Sequence, residues 1–286
     1  MRFSDMFASP LLMQIVLRAM VVGVLVSLCC ALLGVNLVLR RFSMIGDGLS
    51  HVGFGAIALA AVCGLSQWEL EFTLPVVIVA AVLILRMSER SHTQGDAAIA
   101  LLATGAVAVG SLLYNYSPQR NADICNSLFG SASVLTLTDK DLLLSLVLSA
   151  VVLALFILCY HKLFAITFDE VFARATGVHT QAYKTLLAVL TAVTIVLGMK
   201  LMGAIMISGL VVFPAMSAMR LCKSFRGVVL CSGGLAVVCF VAGFFTACRL
   251  SWQTGPTVIA VHTLVFVLVS AGSALATSRL LRRKKA

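Results

Sequence analysis

LLMQIVLRAMVVGVLVSLCCALLGVNLVL, from Leu11 to Leu39, carries a single charge, Arg18, and is followed at once by Arg40 and Arg41. A helix needs about 20 mostly apolar residues to cross a hydrocarbon core about 30 Å thick, and this run exceeds that. It is also too long for the apolar core of a signal peptide, and its basic pair follows it instead of preceding it. The stretch predicts a retained transmembrane helix. Similar runs recur at 50–66, 72–85, 97–116, 142–160, 185–199, 201–219, 227–248 and 255–278. The run at 72–85 is short and 185–199 nearly joins 201–219, so the expectation is eight or nine transmembrane helices in an all-α, polytopic membrane protein.

Composition agrees. Of 286 residues, 61% are hydrophobic and only 11% charged, with a mean hydropathy of +1.08. The natural organisation is a single transmembrane domain over 1–286 with the lipid bilayer as its solvent. The net charge of +10 does not indicate nucleic acid, because the basic residues form short clusters between apolar runs and not a stripe interleaved with aromatics. Most of the 21 basic residues fall in alternate loops: Arg40 and Arg41, Arg86 and Arg90, Lys162 to Lys184, Arg220 to Arg226, and the tail from Arg279 to Lys285. The positive-inside rule puts those loops in the cytoplasm, with the N-terminus outside for nine spans. Cys29, Cys30, Cys63, Cys159, Cys231, Cys239 and Cys248 lie in apolar runs without a C-x-x-C pair, and read as small buried hydrophobes.

Two loops exceed simple turns. The external stretch Ser117–Lys140 suggests a short interfacial or re-entrant element. The cytoplasmic stretch His161–Lys184 contains a short helix of its own, with Thr167 as N-cap, Asp169 and Glu170 in the first turn and Gly177 as its stop. Phe168, Val171, Phe172 and Ala175 share one face of it, which packs on the bundle, lies at the lipid interface or docks another protein.

Chemistry concentrates at Arg40–His51. Asp47 and His51, at i and i+4 on a continuous helix, bring a carboxylate and an imidazole to one face, a mixed donor set suited to zinc or manganese. Ionisable groups inside a membrane normally face the bundle interior or a wet path. The other reading has Asp47 capping the helix and His51 bonding a neighbour. His262, in the last apolar run, is a further pathway candidate. His92, His161 and His179 fall in loops, and Asp96 and Asp123 near the mouths. Gly203, Gly209 and Pro214 allow close helix contact and a local break. No G-x-x-x-x-G-K-[ST] loop, H-E-x-x-H or G-x-S-x-G motif is present, so energy comes from an ion gradient or another chain.

The ordered set RFSMIGDGLSH (Arg41–His51), NADI (Asn121–Ile124) with LFG (Leu128–Gly130), FDEVFARATGV (Phe168–Val178), GAIMISGLVVFPA (Gly203–Ala215) and TGPT (Thr254–Thr257) resembles the ABC-3 family of metal permeases. The resemblance implies the permease subunit of an ATP-binding-cassette importer in the inner (plasma) membrane of a bacterium. It implies no enzyme activity in this chain and no permanently bound cofactor, with ATP on separate ATPase subunits and an extracytoplasmic metal-binding protein delivering the ion. The permease would be a homodimer or a heterodimer with a sister permease. Zinc is the expected cargo, with manganese or iron as the other possibilities. Asp47 and His51 become transient ligands in an alternating-access path. Phe168, Asp169, Glu170, Phe172, Ala173, Arg174 and Gly177 become the ATPase-coupling element. Ser91–Asp96 and Ser131 depart from the family pattern, where more acidic residues are expected. The rival reading is a proton-coupled secondary metal transporter, which would work without an ATPase.

Overall fold

A computed structural model describes residues 10–65, 68–90, 95–114, 139–203 and 207–283. Eleven helices are described: α1 Pro10–Leu39, α2 Ile45–Val62, α3 Glu69–Arg90, α4 Gly95–Tyr114, α5 Asp139–Leu158, α6 Tyr160–Phe168, α7 Glu170–Ala175, α8 Thr180–Met202, α9 Ile207–Leu221, α10 Phe225–Leu250 and α11 Thr254–Arg283. No strand occurs among the described residues. The re-entrant element expected within 117–138, with Asn121, Asp123 and Ser131, falls outside them, as do His92 and the side chain of Asp96.

Among the described residues the eight or nine spans that the sequence suggests are not all confirmed. Six helices among those residues are long and apolar enough to cross a membrane: Val16–Leu39, Ile45–Val62, Glu69–Met87, Thr180–Met199, Phe225–Leu250 and Thr254–Ala274. A seventh results if α5 and α6, bent by 65° at Cys159, are one broken span. The apolar parts of α4 and α9, Ala97–Leu113 and Ile207–Leu221, are shorter. The apolar run across 185–219 divides because Gly203 ends α8 at φ +87° and ψ 156°, a backbone region that essentially only glycine occupies. The 72–85 run, by contrast, is the middle of a full helix: Glu69 and Glu71 open α3, and Pro75 is accommodated inside it.

α1 is the centre of the bundle, packed on α5, α8, α9 and α10. Small residues let backbones meet there, as membrane helices require when lipid is as apolar as the packing partner. A Cβ on Gly34 would lie 2.1 Å from the carbonyl oxygen of Val211 on α9. Serine hydroxyls lock α1 to α10: Ser27 donates to Ala236 O at 3.1 Å and Ser232 to Ala31 O at 3.3 Å. α2 and α4 are similarly close, with Gly110 against Gly55.

Charges gather at the two ends of α1. At one end Arg18 pairs with Asp139 at the start of α5. At the other, Arg40 approaches Glu170 of α7. These anchors are about 33 Å apart along the helix, close to the thickness of a hydrocarbon core. The basic loops that the charge rule grouped together, at Arg40, Arg174 and Lys184, do meet in space.

All eight described cysteines are free. Cys63 departs from the expected burial: it caps the end of α2 and is exposed.

Candidate functional site

α2 begins at Ile45, five residues ahead of the apolar run, because Gly46, Asp47 and Gly48 are all helical. Asp47 and His51 therefore sit on one continuous helix, one turn apart. Asp47 does not act as N-cap. Met44 holds that position, and it makes no side-chain capping bond. His51 Nε2 lies 3.6 Å from Asp47 Oδ2, too far for a hydrogen bond. His51 Nδ1 is buried with no hydrogen-bond partner. Two ligand atoms at about 2.1 Å from one ion, subtending a tetrahedral angle, are about 3.4 Å apart, so the observed gap is close to what a shared divalent cation needs. The side chains are 36% exposed for Asp47 and 23% for His51, half-shielded as a path for ions requires.

The pair lies beside the α8–α9 break. A Cβ on Gly46 would touch Ser208 at 3.4 Å, and one on Gly53 would meet Met199 Sδ at 2.6 Å, so the turns flanking Asp47 and His51 abut residues on either side of Gly203. Broken helices beside an ion site are a recurring device of membrane transport, since their free backbone ends are polar. Ser50 does not join the pair: its hydroxyl donates to Asp47 O at 2.7 Å.

His262 on α11 is 2% exposed. Its Nδ1 is 2.9 Å from Val258 O in the same helix, and Nε2 is buried without a partner. Among the described residues no three or more His, Cys, Asp or Glu converge as a metal cage, so His262 does not complete a cluster with Asp47 and His51.

The short helix expected between Thr167 and Gly177 is present but shorter and capped differently. Thr167 closes α6, its hydroxyl donating to Leu163 O at 2.7 Å. Asp169 is the N-cap of α7 and accepts from Phe172 N at 2.8 Å, because its extended backbone (φ −147°, ψ 94°) frees the side chain to reach over the first turn. Gly177, at φ +82°, ends the helix as expected: Val178 N donates to Ala173 O and Gly177 N to Arg174 O, the paired bonds of a Schellman turn.

The apolar face of α7 is not packed on its own bundle. Val171 is 81% exposed and Phe172 64%. Ala173, on the opposite side, is fully buried. Phe168 joins an aromatic platform of Tyr160, Phe164 and Phe225, its ring 5.7 Å from that of Phe225 and 4.8 Å from that of Phe164. The sequence reading missed that platform because Phe225 is more than fifty residues away in the chain. It also missed Glu170 as an ionic centre. Glu170 Oε1 is 2.5 Å from Lys184 Nζ and 3.2 Å from Arg174 Nη2, and Oε2 is 3.8 Å from Arg40 Nη2.

A bundle of long apolar helices around a half-shielded carboxylate–imidazole pair, with an uncovered apolar helix at one end, defines a membrane transport subunit. The family model for the ABC 3 transport family matches residues 12–273, and the chain belongs to that family. It is 27% identical over 254 residues to the manganese transport system membrane protein MntC of Halalkalibacterium halodurans, covering 88% of this chain and 85% of that one. It is also 27% identical over 269 residues to a probable iron transport system membrane protein of Haemophilus influenzae, covering 94% and 97%. Among solved structures, PsaBC from Streptococcus pneumoniae in complex with Fab superposes with a TM-score of 0.79 at 23% identity, over 93% of each chain, a likeness of fold.

Proposed function

We propose that this chain is the membrane permease of an ATP-driven importer for a divalent transition metal, and that Asp47 and His51 are transient ligands on its path. The observation that carries this is the pair itself: 3.6 Å apart on one helix, beside a broken helix, with a buried and unpartnered ring nitrogen. Two donors hold an ion weakly enough to pass it on, and an ion in transit must leave. Manganese is the favoured cargo, because the relatives above are named for manganese and iron. The zinc preference expected from the sequence has no support of that kind.

In this reading the Arg40 end of α1 faces the cytoplasm, where α7 offers Val171 and Phe172 to an ATPase subunit. The opposite end, at Arg18 and Asp139, receives the ion from an extracytoplasmic binding protein. Two permeases, identical or related, enclose the path in a bacterial plasma membrane. ATP-driven movement of α7 changes which side is open.

The test is manganese, iron and zinc uptake by proteoliposomes holding this chain, its ATPase and its binding protein. Uptake that needs ATP and the ATPase supports the reading. Uptake by the chain alone along a proton gradient overturns it in favour of a secondary transporter.

A further inference from the structure

We propose that Glu170 is a positioning residue that carries the movement of α7 to the α1–α2 turn and so to Asp47 and His51, acting through Arg40 and anchored on α8 by Lys184. The inference rests on the importer reading above.

α7 has two sides. Val171 and Phe172 point away from the bundle, whereas Glu170 points back to it and meets three cations from three places in the chain. Arg174 belongs to α7 itself. Lys184 lies in the second turn of α8 with its side chain 7% exposed, and its ammonium pairs with the Glu170 carboxylate. Arg40, 14% exposed, follows α1 directly. One carboxylate thus ties the helix expected to take the ATPase stroke to α8, which packs on α2, and to the end of α1, which leads into α2.

The connection from Arg40 to the pair is short and stiff. Phe42 N donates to Leu37 O at 2.9 Å, Ile45 N to Phe42 O at 3.2 Å and Gly48 N to Met44 O at 3.1 Å, so the turn is hydrogen-bonded from the end of α1 into α2. Arg41 within it has φ 61°, a left-handed conformation that a side chain adopts at a cost. A pull on Arg40 therefore moves the start of α2 as a unit, with Asp47 two residues inside it. On the other arm, Lys184 and Met199 are about 22 Å apart along α8, and Met199 abuts Gly53, half a turn beyond His51. Both arms from Glu170 end on α2, the helix that carries the pair.

The experiment measures metal ions imported per ATP hydrolysed by the full complex in proteoliposomes, using manganese, for the native chain, Arg40→Gln, Arg40→Lys and Glu170→Gln. Arg40→Gln leaves Lys184 with its partner and the exposed face of α7 intact, so assembly and ATP hydrolysis persist while the ratio falls about fivefold or more, the lower end of ordinary coupling factors. Arg40→Lys restores most of the ratio because it restores the charge. Glu170→Gln lowers the ratio at least as far. A ratio that stays native in Arg40→Gln and Glu170→Gln overturns the proposal, as does uptake that falls only in parallel with hydrolysis. A native complex that imports no metal with ATP is a different failure, that of the importer reading.

Discussion

Gly34→Ala separates backbone contact from side-chain contact at the centre of the bundle. The new Cβ would stand 2.1 Å from Val211 O, 3.1 Å from Val211 C and 3.2 Å from Val211 Cγ1. Relief to an ordinary contact of about 3.4 Å requires α1 and α9 to separate by about 1.3 Å. α1 cannot move away freely, because Ser27 and Ala31, on the same i, i+4, i+7 stripe of α1 as Gly34, are hydrogen-bonded to α10, and withdrawal from α9 stretches those bonds. Overpacking of this kind costs about 1–3 kcal/mol. Gly53→Ala is the control: its Cβ would be even more crowded on paper than most, at 2.5 Å from Met199 Cε, yet that atom ends a flexible side chain. Its cost should stay below about 1 kcal/mol. The assay is the thermal midpoint of the monodisperse protein in detergent, followed by size exclusion after heating. Gly34→Ala should melt several degrees lower than the native chain and Gly53→Ala within about a degree or two, taking about 2–4 °C per kcal/mol for a chain of this size. Equal midpoints for the two variants would refute the argument that α1 and α9 meet backbone to backbone.

Asp169→Ala removes the cap that accepts from Phe172 N, which should cost about 1 kcal/mol and weaken ATPase binding about fivefold in a pull-down titration, while Asp169→Ser retains most of it. Gly203→Ala forces a side chain into a glycine-only conformation at a cost of about 1–3 kcal/mol, and metal uptake should fall even where the protein still assembles. His51→Gln, which removes the imidazole donor, should weaken manganese binding to the permease about tenfold or more in a calorimetric titration.

The sequence was most legible where chemistry and periodicity coincide. Asp47 and His51 were placed on one helix face from their spacing alone, and the structure finds them one turn apart on α2. Gly177 was read as a helix stop and adopts the positive φ that such a stop uses. Thr167 was read as the N-cap because a threonine precedes two acidic residues, yet the chain continues α6 through Thr167 and turns only at Asp169. Local propensity could not decide between two capping residues, Thr167 and Asp169, that flank Phe168 when the preceding helix packs on Phe225. The expected eight or nine spans are not confirmed among the described residues, for a related reason. Apolar runs mark which residues avoid water, but they do not report where Gly203 or Cys159 redirects the backbone. The Glu170 junction was illegible because its partners, Arg40 and Lys184, are brought together only by the fold.

The central claim is that Asp47 and His51 carry a metal ion through the membrane for an ATP-driven partner. The direct measurement is ATP-dependent manganese uptake by reconstituted complex, comparing the native chain with an Asp47→Asn, His51→Ala double variant matched for assembly and thermal midpoint. The account predicts that uptake is lost in the double variant while the complex still forms and binds ATP. Native uptake by that variant would contradict it, leaving the pair as a packing feature of α2.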